Sequence, residues 1–182
     1  MRFCPDCGAE VERRRPEGDD RERHVCRRCA TIHYQNPKVV VGAVCGWGDD
    51  RLLLCRRAIE PRSGFWTIPA GYLELGETTE EGAIREAWEE ARARIEITGL
   101  LAVYSVPRIG QVQTLYRARL LSPDVEAGPE SAEVALLPWD AIPWGELAFT
   151  TVHWILRRAL ELRGHEGQYP TVGNPSAMPP LD

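Results

Sequence analysis

The sequence predicts an α/β chain in parts: a small module over residues 1–34, a larger domain over 35–163 and a tail over 164–182. Three observations predict it. Two Cys-x2-Cys pairs, Cys4–Cys7 and Cys26–Cys29, lie in the first part. Runs rich in Val, Ile and Leu recur at 39–45, 51–57, 95–106 and 112–121 and read as strands. Two stretches, one opening at Thr78 and one over Thr150–Leu162, carry apolar residues at helical spacing.

Length and composition allow a real core. The chain has 182 residues, 43% of them apolar, and 27 acidic against 22 basic residues give a net charge of −5. That balance argues against the whole chain being a nucleic-acid coat. The longest apolar stretch, near Val39–Val44, is far too short to span a bilayer. Met1-Arg2-Phe3-Cys4 runs straight into the cysteine motif with no export-like segment. A cytoplasmic protein with no membrane partner is expected.

In the first module, 18 residues separate the two cysteine pairs, a spacing typical of a four-thiolate zinc site. Each pair makes a tight knuckle offering two sulfurs to one tetrahedral ion. Without an export signal, disulfides are the weaker reading. Cys4, Cys7, Cys26 and Cys29 are therefore read as ligands of a structural Zn²⁺, which supplies the folding energy so short a segment lacks. His24 and His33 lie nearby, but the ligand count is already complete, and they read as surface or interface residues. Between the knuckles, Arg13 to Arg21 carries Pro, Gly and paired charges and marks a turn. With Arg23, Arg27 and Arg28 this is the most basic part of the chain. Contact with phosphate or RNA is one reading. A solvated tip is favoured, because acids are interleaved and aromatic residues are few.

The runs Val39–Cys45 and Arg51–Arg57 flank a Gly-Asp-Asp turn and read as a hairpin of buried strands, with Cys45 and Cys55 as core thiols. Pro69 and Gly71 then force a bend. Trp66 and Tyr72 beside it are candidates for stacking on a ring or for packing.

Thr78 and Glu81 form a capping box that opens the first helix. Ala83, Ile84, Ala87, Trp88 and Ala91 recur as its apolar face, which puts Glu86, Glu89 and Glu90 together on the opposite side. Like charges at these spacings repel, and a stripe held against its own repulsion suits a divalent cation. A solvated surface laced with ion pairs is the alternative, since Arg85 follows Glu81 and Arg94 follows Glu90 at i+4. Past the helix, 95–106 and 112–121 read as strands joined across Pro107–Gly110, and Asp124–Glu133 as a polar loop. Pro138–Pro143 reads as a turn. The second helix turns Val152, Ile155, Leu156, Ala159 and Leu160 to the core, with His153 a surface or packing residue. From Gly164 the Gly/Pro-rich tail is expected to have little structure of its own.

The spacing Gly71, Glu77, Arg85-Glu86-Ala87 and Glu89-Glu90 resembles the Nudix box, with one departure: Arg92 stands where the family has Gly. A Gly there takes φ > 0 and ends the helix, so Arg92 is expected to let the helix run a turn further. The resemblance implies an α/β/α sandwich with a mixed sheet, and hydrolysis of a nucleoside diphosphate linked to another group, giving two monophosphates. It implies Mg²⁺ or Mn²⁺ held by Glu86, Glu89, Glu90 and the Ala70 carbonyl. It also implies that Arg85 pairs with Glu77 and holds the helix face in register. The general base is either a box glutamate or a loop acid, with Glu130 and Glu133 as candidates and Glu133 favoured. Arg56 and Arg57 end their strand either facing substrate phosphate or on the surface.

For substrate, zinc-ribbon members of the family include NADH pyrophosphatases, which also remove NAD caps from RNA. These carry S-Q-P-W-P-F-P-x-S after the box, where this chain has Tyr104-Ser105-Val106-Pro107-Arg108-Ile109-Gly110. Tyr34–Lys38, Trp66–Glu74 and Gly128–Ser131 are more similar to plant chloroplast FAD and ADP-ribose pyrophosphatases. FAD or ADP-ribose is the favoured substrate. NADH pyrophosphatase, NAD-cap decapping and a non-catalytic nucleotide sensor are the alternatives. RNA is a partner in the decapping reading or in that of a nucleic-acid-binding factor gripping it by the basic ribbon, neither of which is favoured, and a homodimer is left open.

Overall fold

The computed structural model describes residues 1–48, 50–164 and 170–173, and the chain divides into two units between Asn36 and Pro37. In the first unit, β1 (Val11–Arg14), β2 (Arg23–Cys26) and β3 (Ile32–His33) form an antiparallel sheet. The predicted turn joins β1 to β2, and its Asp19 is tied to Arg23 at 2.8 Å. His24 and His33 sit opposite each other on β2 and β3, both half-buried.

The second unit is built on one eight-stranded mixed sheet. Its strands are β4 (Lys38–Trp47), β5 (Arg51–Arg57), β6 (Trp66–Thr67), β7 (Ala70–Tyr72), β8 (Ile95–Val106), β9 (Gln111–Leu120), β10 (Ser131–Pro138) and β11 (Thr171–Gly173). The order is β10-β5-β4-β9-β8-β11, with β6 on β5 and β7 on β4. β4 runs parallel to β9, β11 runs parallel to β8, and the remaining pairs are antiparallel. Thr171–Gly173 thus lengthens the sheet, where the sequence leads one to expect an unstructured tail. The rest of that tail, apart from Gly164 and Pro170, lies outside the described residues.

The strands are apolar on both faces because both faces are covered. Leu52, Leu53 and Leu54 are consecutive on β5 and all fully buried, each side chain worth roughly 1.5–3 kcal/mol of transfer free energy. Leu52 and Leu54 point into one core with Val152, Ile155 and Leu156 of α2 (Thr150–Glu161). Leu53 points into the other, with Cys45, Cys55 and the alanines of α1 (Thr79–Ala91). That alternation is the period of a strand, and it makes the three-layer sandwich. Leu160, expected inside, is 39% exposed, and Leu162 just past the helix is buried instead.

Two features of this frame build the site. The β4–β5 hairpin is paired only near its turn, at Gly46–Leu52 and Trp47–Arg51. Beyond that the strands part, and the Trp66–Tyr72 segment enters between them as β6 and β7. The second feature is how α1 sits. Thr78 caps it as the sequence predicts, its hydroxyl accepting from the Glu81 N–H while the Glu81 carboxylate accepts from the Thr78 N–H. Its buried face differs from the predicted one. Gly82, Ala83, Glu86, Ala87, Glu90 and Ala91 are buried, whereas Ile84 and Trp88 are 40% and 44% exposed. The helix lies close to the sheet on its small residues, and this rotates Glu86 and Glu90 inward and the larger apolar pair outward.

The helix also ends sooner than expected. Arg92 takes the left-handed conformation itself, with φ 51°. Its N–H reaches Trp88 O and that of Ala93 reaches Ala87 O. For an L-residue this conformation costs about 1–2 kcal/mol.

Candidate functional sites: a thiolate cluster and an acidic cleft

In the first unit, the two turns following the Cys-x2-Cys pattern bring Cys4, Cys7, Cys26 and Cys29 together, with one sulfur from each within 4.8 Å of the others. Neighbouring sulfurs are 3.4, 3.6 and 3.8 Å apart. Zn–S bonds of about 2.3 Å imply tetrahedral edges of about 3.8 Å, so the four fit one zinc ion. Hydrogen bonds from Thr31 hold the Cys29 thiol down to about 6, whereas burial pushes Cys4 up to about 11, so the bound metal's own charge has to supply the deprotonation of Cys4. Zinc chelation is expected to collapse the amide dispersion of residues 1–36, which two-dimensional NMR checks with the signals of 37–161 as internal reference.

In the second unit, a cavity of about 1220 Å³ opens where β4 and β5 part. Its floor is Ala70, Gly71 and Tyr72 on β7, and one wall is the carboxylate row of α1. Glu86 and Glu90 are only 8% and 6% exposed, while Glu89 is turned to solvent. The missing side chain of Gly71 lets the Glu86 carboxylate lie against the backbone, and a Cβ there would push that carboxylate end aside.

Arg85 organises the row. Its guanidinium donates to both oxygens of Glu77 at 3.0 and 2.8 Å, to Glu86 at 2.8 Å, to Glu89 at 2.9 Å and to the Tyr72 carbonyl at 3.0 Å. Glu77 is held down to about 2 by this pairing and accepts from the Glu74 N–H as well. Glu90 is in the opposite situation. Burial, then the charge of Glu86, push it up to about 8, and burial also raises Glu86. Two buried carboxylates that resist ionisation together offer oxygen donors, the chemistry that suits a divalent cation such as Mg²⁺ or Mn²⁺. Among the described residues, Glu86, Glu89 and Glu90 do not bring three ligand oxygens within 4.8 Å of one another, as the four cysteines do with their sulfurs, and the Glu90 carboxylate accepts from the Ala70 N–H.

The loop acids fall out differently from the sequence reading. Glu133 lies on β10 rather than in the loop, is half exposed, pairs with Arg56 at 3.4 Å and does not border the cleft. Glu130 does border it, and its charge bears on Glu86 and Glu90. The reason is local. The Glu126 and Gly128 N–H groups donate to the Ala91 and Glu90 carbonyls, at 2.9 Å each. The loop thereby closes the end of α1 and carries Glu130 to the row before β10 begins.

The wall across from the carboxylates is basic and aromatic. Arg57 stacks over Phe149 at 5.3 Å and donates to Pro61 O, while Arg62 donates to Ala148 O. Sequence reasoning passes over Phe149 and Arg62 and leaves His153 as a surface or packing residue, because only the fold brings Ile59–Arg62 and the start of α2 to one place. Arg56 is directed away, to Gly64 O and Glu133. Of the two aromatic candidates, Trp66 is buried in the core. Tyr72 is half exposed in the cleft, with Lys38 Nζ 4.8 Å from its ring centre. Among the described residues no helix is long and apolar enough to cross a membrane.

Comparison with known proteins gives the family and the fold. Residues 2–35 match a family model described as Nudix N-terminal, and residues 36–161 match one described as NUDIX domain. A crystal structure of a NUDIX hydrolase from Nitrosomonas europaea superposes with a TM-score of 0.91 at 50% identity, covering 96% of this chain and 98% of that one. An ADP-ribose pyrophosphatase from Methanocaldococcus jannaschii is 30% identical over 64% of this chain and 69% of its own. An NAD-capped RNA hydrolase NudC from Vibrio vulnificus is 33% identical over 59% of this chain and 38% of its own. Among such curated relatives the chain spans between 31% and 69% of their lengths. With the family model covering both helices and nearly the whole sheet, the chain belongs to the Nudix hydrolase family and carries that family's N-terminal zinc ribbon.

Proposed function

We propose that the chain hydrolyses the diphosphate bridge of a nucleoside diphosphate linked to another group, with ADP-ribose-like compounds favoured and FAD and NADH as the competing substrates. The observation that carries this reading is the pair of buried carboxylates, Glu86 and Glu90, facing arginines across a cleft large enough for a dinucleotide. The names of the relatives from Methanocaldococcus jannaschii and Vibrio vulnificus point to the same substrate chemistry.

A diphosphate is anionic and repels a nucleophilic water. Glu86, Glu89, Glu90 and the Ala70 carbonyl would hold Mg²⁺ or Mn²⁺, which when bound would supply positive charge for the phosphate oxygens and for lowering the pKa of a nearby water. Arg85 fixes Glu77, Glu86 and Glu89 before substrate arrives, so no reorganisation is needed during reaction. Arg57 and Arg62 supply positive charge to the anionic substrate from the other wall. Tyr72 offers a ring face to a base or flavin. Glu130 takes the proton of the attacking water, replacing Glu133 in that role because only Glu130 borders the cleft.

The test is a panel of ADP-ribose, FAD, NADH and dinucleoside polyphosphates, each with Mg²⁺ and with Mn²⁺, scored for monophosphate release. ADP-ribose is expected to give the highest kcat/KM. Release from none of these compounds sinks the reading.

A further inference from the structure

Outside the catalytic cleft, one surface carries chemistry the reaction does not use. Trp88 lies on the outer face of α1, half exposed. Two guanidiniums gather over its ring, Arg92 at 5.6 Å and Arg94 at 5.9 Å from the centroid. Among the described residues, neither is within ion-pair distance of a carboxylate. With Ser122 and Asp124 these three side chains line a cavity of about 320 Å³, at the small end of the range for ligand sites. Arg92 also borders the large cleft, so the two cavities share a wall.

Arg92 holds this position at a cost. Its φ of 51° is one that glycine adopts freely and arginine does not. Its guanidinium donates to the Trp88 carbonyl at 3.4 Å and has no carboxylate partner, so the rest of that charged end faces the cavity, and a strained residue so placed points to a role for it. Two cations over one ring also repel each other, and an anion between them relieves that repulsion.

We propose that Trp88, Arg92 and Arg94 form a second nucleotide site, in which a base stacks on the indole and its phosphate is held by the two guanidiniums. Asp124, with Ser122 Oγ donating to it, is an acceptor for a ribose hydroxyl or an exocyclic amino group. Aromatic stacking combined with arginine–phosphate contacts is the recognition chemistry of a nucleotide in either of two forms, a free mononucleotide or one residue of a strand. The site rests on the diphosphate-hydrolase reading only in that the shared Arg92 wall makes its ligand an extension of, or a companion to, a nucleotide substrate.

The test follows the Trp88 indole N–H by NMR, assigned by its loss in Trp88→Phe. Trp88 and Arg94 do not border the catalytic cleft, so a Trp88 shift that weakens in Arg94→Ala reports the second site rather than the cleft. Adenosine monophosphate and a 5′-phosphorylated oligoadenylate are titrated separately. A saturable shift is expected, weakened about tenfold in Arg94→Ala and in Arg92→Gly as one charge-assisted contact is lost. Arg92→Gly is expected to melt no lower than wild type, because glycine relieves the left-handed strain. A shift with the monophosphate of equal affinity assigns a free nucleotide, while tighter, salt-dependent binding of the oligomer assigns a strand. A Trp88 signal unmoved by both ligands, or unweakened by both substitutions, overturns the proposal. A silent signal in a protein that still hydrolyses its substrate removes this site alone. An inert protein whose Trp88 signal responds removes the catalytic reading alone.

Discussion

Glu90→Gln and Glu89→Gln are each expected to lower kcat by on the order of a thousandfold or more, with the thermal melt held or improved. The two properties separate because the row is built for charge rather than for packing. Gln fills the volume of Glu but offers a cation one neutral oxygen. At Glu90 the substitution also removes a buried ionisable group. In the metal-free protein burial pushes Glu90 up to about 8 from its ordinary 4.5, so the folded state binds a proton that the unfolded state has released. The Glu90 contribution to stability therefore falls as pH rises from about 4.5 through about 8, and Glu90→Gln lacks that fall. Melting curves of both proteins at pH 5 and pH 8 without divalent ions check this, and the variant is expected to gain most at pH 8. Added Mg²⁺ is expected to raise the wild-type melt and leave the variant's unchanged. Full activity in both variants sinks the site assignment.

Gly128→Ala is expected to cost about 3 kcal/mol or more, a drop of about 6–12 °C for a chain this size, and to lower kcat as well. A Cβ there lies 1.7 Å from the carbonyl oxygen of Glu89, and neither side of that contact is a flexible side chain. The loop has to lift away from α1. The bonds from Gly128 and Glu126 to the Glu90 and Ala91 carbonyls then break, and Glu130 moves with them. Calorimetry and single-turnover kinetics on the same sample check both halves. A Gly128→Ala enzyme that melts and turns over like wild type shows that the loop does not close the helix as described.

What the sequence makes legible is set by local rules. The capping box at Thr78, the cysteine knuckles and the strands β4, β5, β8 and β9 follow from spacing along one segment, and the Glu77–Arg85 pair from the family resemblance. What it hides is set by the sheet. Ile84 and Trp88 are the bulkiest apolar residues of α1, so a reading by size turns them inward. The close approach of helix to strand admits only small residues there, and the larger pair faces out. By intrinsic preference Arg92 extends the helix, but the bonds to Trp88 O and Ala87 O impose the left-handed turn regardless. Nearness to a strand favours Glu133 over Glu130. The actual strand starts at Ser131, and only the loop's bonds to α1 decide which acid meets the row.

The alanine underside of α1 has a further consequence. Ala83, Ala87 and Ala91 are wholly buried and contribute almost no volume of their own, so they work as a shim of fixed thickness between helix and sheet. One methyl group added to any of them raises every glutamate of the row at once, without touching one directly. The geometry of the three acids is in that sense a single mechanical setting. Such substitutions would detune the reaction as a block, while Glu86 and Glu89 kept their own hydrogen bonds to Arg85.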